Sequence, residues 1–145
     1  CSTVALNTAG ALARQGERKV LLVDADRRSG VIGTLLNLDH TSGLAQALDQ
    51  SASLTPLRWN ELCARAAGMD LLLADPANPG RTPTWADYYL LLKFVETRYA
   101  CTVVDLPEVV NPATVEVVRA ARSVFVVCTP EVLSLRLADK RCADA

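Results

Sequence analysis

The chain has 145 residues, half of them apolar and 21% charged, with a formal net charge of -1. That size and balance suit one domain with a buried core and exclude a disordered chain. A charge so near zero gives no general basic footprint for nucleic acid, and no apolar run approaches the ~18 residues of a membrane-spanning helix.

In chain order, residues 2–15 read as a helix with Val4, Ala5, Ala9, Leu12 and Ala13 on one face, closed by Gly16. "KVLLVD" (19–24) is an unbroken apolar run, as expected of a parallel strand covered on both faces. After the loop "ADRRSG", "VIGTLLNL" and "GLAQALDQ" read as short helices. "LRWNELCARAAG" (57–68) has helical spacing, with Leu57, Leu62 and Ala66 inward. "MDLLLA" (69–74) is a second buried-strand signal, followed by the loop "DPANPGR".

Thr82-Pro83 then supplies an N-cap and a first-turn proline. The helix it opens puts Trp85, Tyr88, Leu92, Val95 and Tyr99 on one core stripe. "CTVVDL" (101–106) is a third strand, and Asn111-Pro112 caps a helix with Val115, Val118 and Ala121 inward. "SVFVVCT" (123–129) reads as a fourth strand, and Thr129-Pro130 caps a last helix still running at Ala145. Strand and helix alternating at this spacing predict an α/β, doubly wound, mostly parallel sheet.

The five cysteines (Cys1, Cys63, Cys101, Cys128, Cys142) are odd in number, scattered and never C-x-x-C. They read as buried thiols of a reducing cytosol, not as a disulfide framework or zinc site. A lone His40 leaves a histidine metal site or a Ser-His-Asp triad nothing to draw on.

Ligands of open parallel sheets bind beyond the carboxyl ends of the strands. Asp24 closes the first strand with Asp26 two residues on, Asp105 closes "TVVD", and Thr129 closes "VFVVCT". Ser2-Thr3 opens the first helix, where free N–H groups and the helix dipole favour an anion. Three carboxylates and a hydroxyl at one edge are costly unless a cation sits among them. A hydrated Mg²⁺ carrying nucleotide phosphates would supply that charge, with Ser2 as direct ligand, Asp105 holding metal-bound water and Asp26 orienting the attacking water. The plain alternative is that these aspartates only end strands and cap helices.

"CSTVALNTAGALARQGERKVLLVDADRRSG", "YACTVVDLPEVVNPAT" and "VFVVCTPEVLSLRLADK" together resemble the deviant-Walker P-loop ATPases of the MinD/ParA group. "MDLLLADPANPG" and "VVDLP" are most similar to its CpaE/TadZ branch, which helps place pilus assembly at a cell pole. The resemblance implies a P-loop NTPase-like domain over 1–145, incomplete at both ends, with the loop's first glycines and strand upstream and the adenine-contacting segment downstream. It implies ATP and Mg²⁺ as cofactors, Ser2 as metal ligand, Thr3 as a phosphate contact, Asp24 and Asp26 as switch carboxylates with Asp26 nearest the attacking water, and Asp105 as the Walker B acid and metal-site residue.

Two departures stand out. Cys1 occupies the place of the phosphate-contacting lysine; losing one such preorganised group typically costs ~10²–10³ in rate. Val31 replaces an acidic or amide side chain, while Arg27 and Arg28 put two cations in the switch loop. Those arginines fit partial compensation for the lysine, a partner surface, or a merely solvated loop.

The reading that results is a cytoplasmic, polar or membrane-associated ATP-binding domain with weak hydrolysis. It would act as a homodimer that positions a pilus or secretion assembly, with any membrane contact made through a partner. A nucleotide-independent scaffold of the same fold is the alternative. DNA partitioning would need a basic surface that the scattered arginines do not form, so no nucleic-acid partner is expected.

Overall fold

The computed structural model describes residues 1–16, 19–38, 43–109 and 111–144; His40 and Ala145 lie outside them. Helix α1 (Ser2–Arg14) leads into β1 (Val20–Asp24), then α2 (Ile32–Leu35), α3 (Gly43–Asp49), a 3₁₀ turn at Ser51–Ser53 and α4 (Pro56–Leu62). A short β2 (Ala64–Ala66) and β3 (Met69–Leu72) precede α5 (Trp85–Glu96), β4 (Cys101–Asp105), α6 (Val115–Ala120) and α7 (Val132–Asp144). The sheet order is β2-β3-β1-β4. Strand β1 pairs in parallel with β3 and β4, and β2 joins the edge antiparallel to β3.

The apolar runs form strands because both faces of the sheet are covered. All five residues of β1 are buried. Alternation along the strand sends Leu21 and Val23 into a core with Leu44, Trp59, Tyr88, Leu91 and Val95, brought by α3, α4 and α5. Val20 and Leu22 enter a second core with Ala9 of α1, Ile32 of α2, and Met69 and Leu71 of β3. In β4 the same parity places Cys101 and Val103 against the second core, and Val104 against the first.

Local chemistry sets several helix starts. Thr55 accepts a hydrogen bond from the Arg58 amide at 3.2 Å, with Pro56 in the first turn of α4. The Asp87 carboxylate accepts from both the amide and the hydroxyl of Thr84, at 2.7 and 2.8 Å. Helix α5 therefore starts at Trp85 after Thr84, not after Thr82. Asn111 does cap a turn, accepting from the amides of Ala113 and Thr114, but α6 proper begins after Thr114.

Other expectations are corrected. In α1, Leu6 packs inward and Val4 is exposed. The helix read over 57–68 stops at Leu62, and residues 64–72 fold back as a hairpin through Ala67 and Gly68, both at positive φ (51° and 78°). That turn suits the twist of paired strands, and it leaves Leu57 exposed and Trp59 buried. Trp85 lies 61% exposed at the start of α5, so the inward stripe is Tyr88, Leu91 and Val95. In α6 the buried side chain is Val117, and Ala121 is exposed.

Residues 123–129 are not a strand: they have no ladder partner among the described residues, and Val124, Phe125, Val126 and Val127 are all exposed. A β pattern supplies side chains for a sheet but not the neighbouring backbone that completes one. Helix α7 starts at Val132, and Thr129 reaches it by a hydroxyl bond to Ser134 at 2.9 Å. The cysteines are free but not buried: Cys1, Cys128 and Cys142 are exposed, and Cys63 and Cys101 are partly so.

Candidate functional site

Asp24 and Asp105 are direct partners in the β1–β4 register. Both follow the parity of Val20, Leu22, Cys101 and Val103, so both project toward the face covered by α1. Helix α1 runs back along the sheet into β1 and packs on β1 and β4. Its N-terminus, with Cys1 as N-cap and Ser2 and Thr3 in the first turn, therefore lies toward the carboxyl ends of those strands. The register thus brings Asp24 and Asp105 to one edge of one face, and the direction of α1 points Ser2 toward that edge.

Asp24 is fully buried. Its Oδ2 accepts from the Ile32 amide at 3.1 Å and its Oδ1 from the Asp26 amide at 3.3 Å. Burial pushes its carboxyl up to about 6; the Ile32 bond opposes that rise, and the charges of Asp105 and Asp26 add to it. Gly30 is what lets the loop close on this carboxylate. A Cβ there would lie 2.7 Å from Asp24 Oδ2 and from the Asp26 carbonyl.

Asp105 is 3% exposed, and its Oδ1 has no hydrogen-bond partner among the described residues. An orphaned buried carboxylate oxygen beside a second carboxylate calls for a cation or an ordered water. No group of three or more His, Cys, Asp or Glu side chains among the described residues forms a metal cluster. The donors nonetheless fit a hydrated Mg²⁺, which takes one or two protein oxygens and draws the rest from phosphate and water.

Asp26 is half-buried, and its Oδ1 accepts from the amides of Arg28 and Ser29 at 3.3 and 2.9 Å. One oxygen therefore serves as the cap of its own loop, the plain role such an aspartate often has. Arg28 is exposed, whereas Arg27 is not a solvated cation: its guanidinium donates to the carbonyls of Pro79, Gly80 and Arg81. Thr129 lies on the exposed segment after α6 and contributes nothing to the Asp24–Asp105 edge. Sequence reasoning missed Arg27's carbonyl contacts. No local signal carries a bond across 52 residues.

A crystallised ParA family ATPase from Chlorobium tepidum TLS superposes on 99% of this chain, with a TM-score of 0.83 and 21% identity. The chain has the fold of a ParA-family ATPase. The kinase domain of the Escherichia coli tyrosine kinase ETK matches 97% of the chain, with a TM-score of 0.63 and 22% identity. In sequence, the tyrosine-protein kinase ptk of Acinetobacter johnsonii is 31% identical over 111 residues, 74% of this chain. The chain spans 62% and 56% of the two solved chains and 14% of that kinase. No family model matches it. The comparisons support the ParA-like fold and do not single out the CpaE/TadZ branch. No helix of the described residues is long and apolar enough to cross a membrane.

Proposed function

We propose that this chain is a nucleotide-binding domain that holds ATP and Mg²⁺ at the Asp24–Asp105 edge and turns ATP over slowly. The observation that carries the reading is the in-register carboxylate pair on the α1 face, one member of which has an unpartnered buried oxygen. The amides of the first turn of α1 would bind phosphate oxygens. The Ser2 hydroxyl and Asp105 would hold the metal, Ser2 directly and Asp105 through its water shell. Thr3 would contact phosphate, and Asp24 would keep the loop after β1 closed through Ile32. Asp26 would orient the attacking water through the oxygen not used by Arg28 and Ser29. When bound, the cation would offset the charge of the phosphates and of the two carboxylates.

Cys1 offers neither a lysine's charge nor its reach, and Arg27 is already bonded to the carbonyls of residues 79–81, so it does not take that cation's place. This favours binding with feeble turnover. The test is Mg²⁺-dependent binding of a fluorescent ATP analogue to the intact protein, beside Cys1→Lys and Asp26→Ala variants. Micromolar binding by the native protein, with turnover rising in Cys1→Lys and vanishing in Asp26→Ala, supports the reading. No binding by the native protein makes the fold a nucleotide-independent interaction module.

The 31% identity to a tyrosine-protein kinase favours a second reading, in which the acceptor is a tyrosine hydroxyl instead of water. Phosphate labelled in the γ position separates the two: it leaves as free phosphate in hydrolysis and stays on tyrosine in transfer. A homodimer that positions a pilus or secretion assembly at a cell pole, with membrane contact through a partner, is the narrower form of the ATPase reading. It is supported only by the resemblance of "MDLLLADPANPG" and "VVDLP".

A further inference from the structure

The residue after Asp26 ties its loop to a second loop. The Arg27 guanidinium donates from Nε to the Pro79 carbonyl at 3.0 Å, and from Nη2 to the same carbonyl, to Gly80 at 3.1 Å and to Arg81 at 2.5 Å. Three successive carbonyls converge on one side chain because Gly80 takes φ +68°, and a Cβ there would press on Ala45 at 2.9 Å.

The far side of the contact is itself anchored. The side chain of Arg81 pairs with Asp49 of α3 at 2.9 Å and with Asp87 of α5 at 2.7 Å. A continuous set of bonds thus runs from the loop carrying Asp26, through Arg27, to two helices packed over the first core. The guanidinium charge also reaches the buried Tyr88 hydroxyl of that core, which has no hydrogen-bond partner among the described residues.

We infer that Arg27 is a positioning residue: by clamping the carbonyls of residues 79–81 it holds Asp26 in place beside the Asp24–Asp105 edge. The inference rests on the ATP-turnover reading of that edge. The bonds that the Asp26 carboxylate accepts lie within its own loop and its amide donates to Asp24 Oδ1 at 3.3 Å, while the outer side of the loop is fixed through Arg27 to residues 79–81. The planar fork of Arg27 gives that fixation, and a lysine ammonium, a point charge on a flexible stem, does not reproduce it.

The test compares native, Arg27→Ala and Arg27→Lys forms of the intact protein by hydrogen–deuterium exchange, ATP affinity and steady-state turnover. In Arg27→Ala, exchange over 24–31 and over 75–81 should rise about tenfold or more, while β1 and β4 keep their protection. The kcat should fall roughly ten- to a hundredfold with ATP affinity within about threefold, the signature of a misplaced group and not of lost binding. Arg27→Lys should resemble Arg27→Ala.

Unchanged exchange in both loops would overturn the inference, as would affinity and kcat falling by the same factor or full rescue by lysine. Should Arg27→Ala fail to fold, Arg27→Lys is judged by the same criteria. A native protein that binds no ATP ends the nucleotide reading, and the exchange experiment then decides on the clamp alone.

Discussion

Asp24 and Asp105 stand opposite one another at the ends of β1 and β4, and neither carboxylate is paired with a basic side chain among the described residues. A folded chain tolerates this when a proton or a cation shares the site.

The proton gives the first prediction. The Asp24 carboxyl is pushed by burial from 3.8 to about 6, so between those values the native state binds a proton that the unfolded chain releases. This contribution is complete below about pH 4 and is lost as pH rises through 6, roughly 3 kcal/mol at most. Urea unfolding without Mg²⁺ should show stability falling across that window, and Asp24→Asn should flatten the fall. Added Mg²⁺, which favours the charged carboxylate, should stabilise the native protein more at pH 7.5 than at pH 5.

Gly30→Ala should be costly where Gly16→Ala is not. The new Cβ at position 30 meets Asp24 Oδ2, the Asp26 carbonyl and, at 2.8 Å, the Ala74 Cβ; at position 16 it meets nothing within 4 Å. Overpacking of this kind costs about 1–3 kcal/mol, against about 0.5 kcal/mol or less for an open surface site. Denaturant midpoints of the two variants check the contrast.

The contrast between positions 30 and 16 is invisible in the sequence, and it marks what the chain did and did not disclose. Val20–Asp24, Met69–Leu72 and Cys101–Asp105 were legible because their runs are largely apolar, as strands covered by helices are, and the aspartates that end the first and the last mark the candidate edge. From the strand ends alone, Asp24 and Asp105 fall into place. The hairpin at Ala67-Gly68 was overrun because Ala64-Arg65-Ala66 carries no β signal; its one clue is the two-residue turn. Residues 123–129 carry the signal without the pairing, which depends on a neighbour. Trp85 fits the helical period, yet in the first turn of α5 it lies at the surface, 61% exposed.

Asp87 concentrates three functions in one carboxylate: it caps α5 through Thr84, pairs with Arg81 at 2.7 Å, and accepts from the Ser51 hydroxyl at 3.4 Å. The Arg81 hydrogen bond is the main cause holding its carboxyl well below the usual carboxylate range, with burial opposing it. Its contribution is therefore present above about pH 4 and is lost as pH falls further. Asp87→Ala should lower stability by about 1–2 kcal/mol at pH 7. It should also release the 79–81 loop, read as faster amide exchange there.

Tyr99→Phe isolates a buried polar chain remote from the candidate site. The Trp59 indole Nε1 donates to the Tyr99 hydroxyl at 2.7 Å, and that hydroxyl donates to Asp70 Oδ2 at 2.7 Å. Trp59 is 1% exposed, so removing the hydroxyl leaves its N–H without an acceptor in the core, while Asp70 keeps Arg65 at 3.0 Å. An unsatisfied buried donor costs about 1–3 kcal/mol. The urea midpoint, followed by Trp59 fluorescence, should fall accordingly. Nucleotide affinity should hold within about twofold, because Asp70 is the second residue of β3 and pairs with Leu21, three residues before Asp24 on β1. A midpoint unchanged from the native protein would mean that the indole N–H finds another acceptor once the hydroxyl is gone.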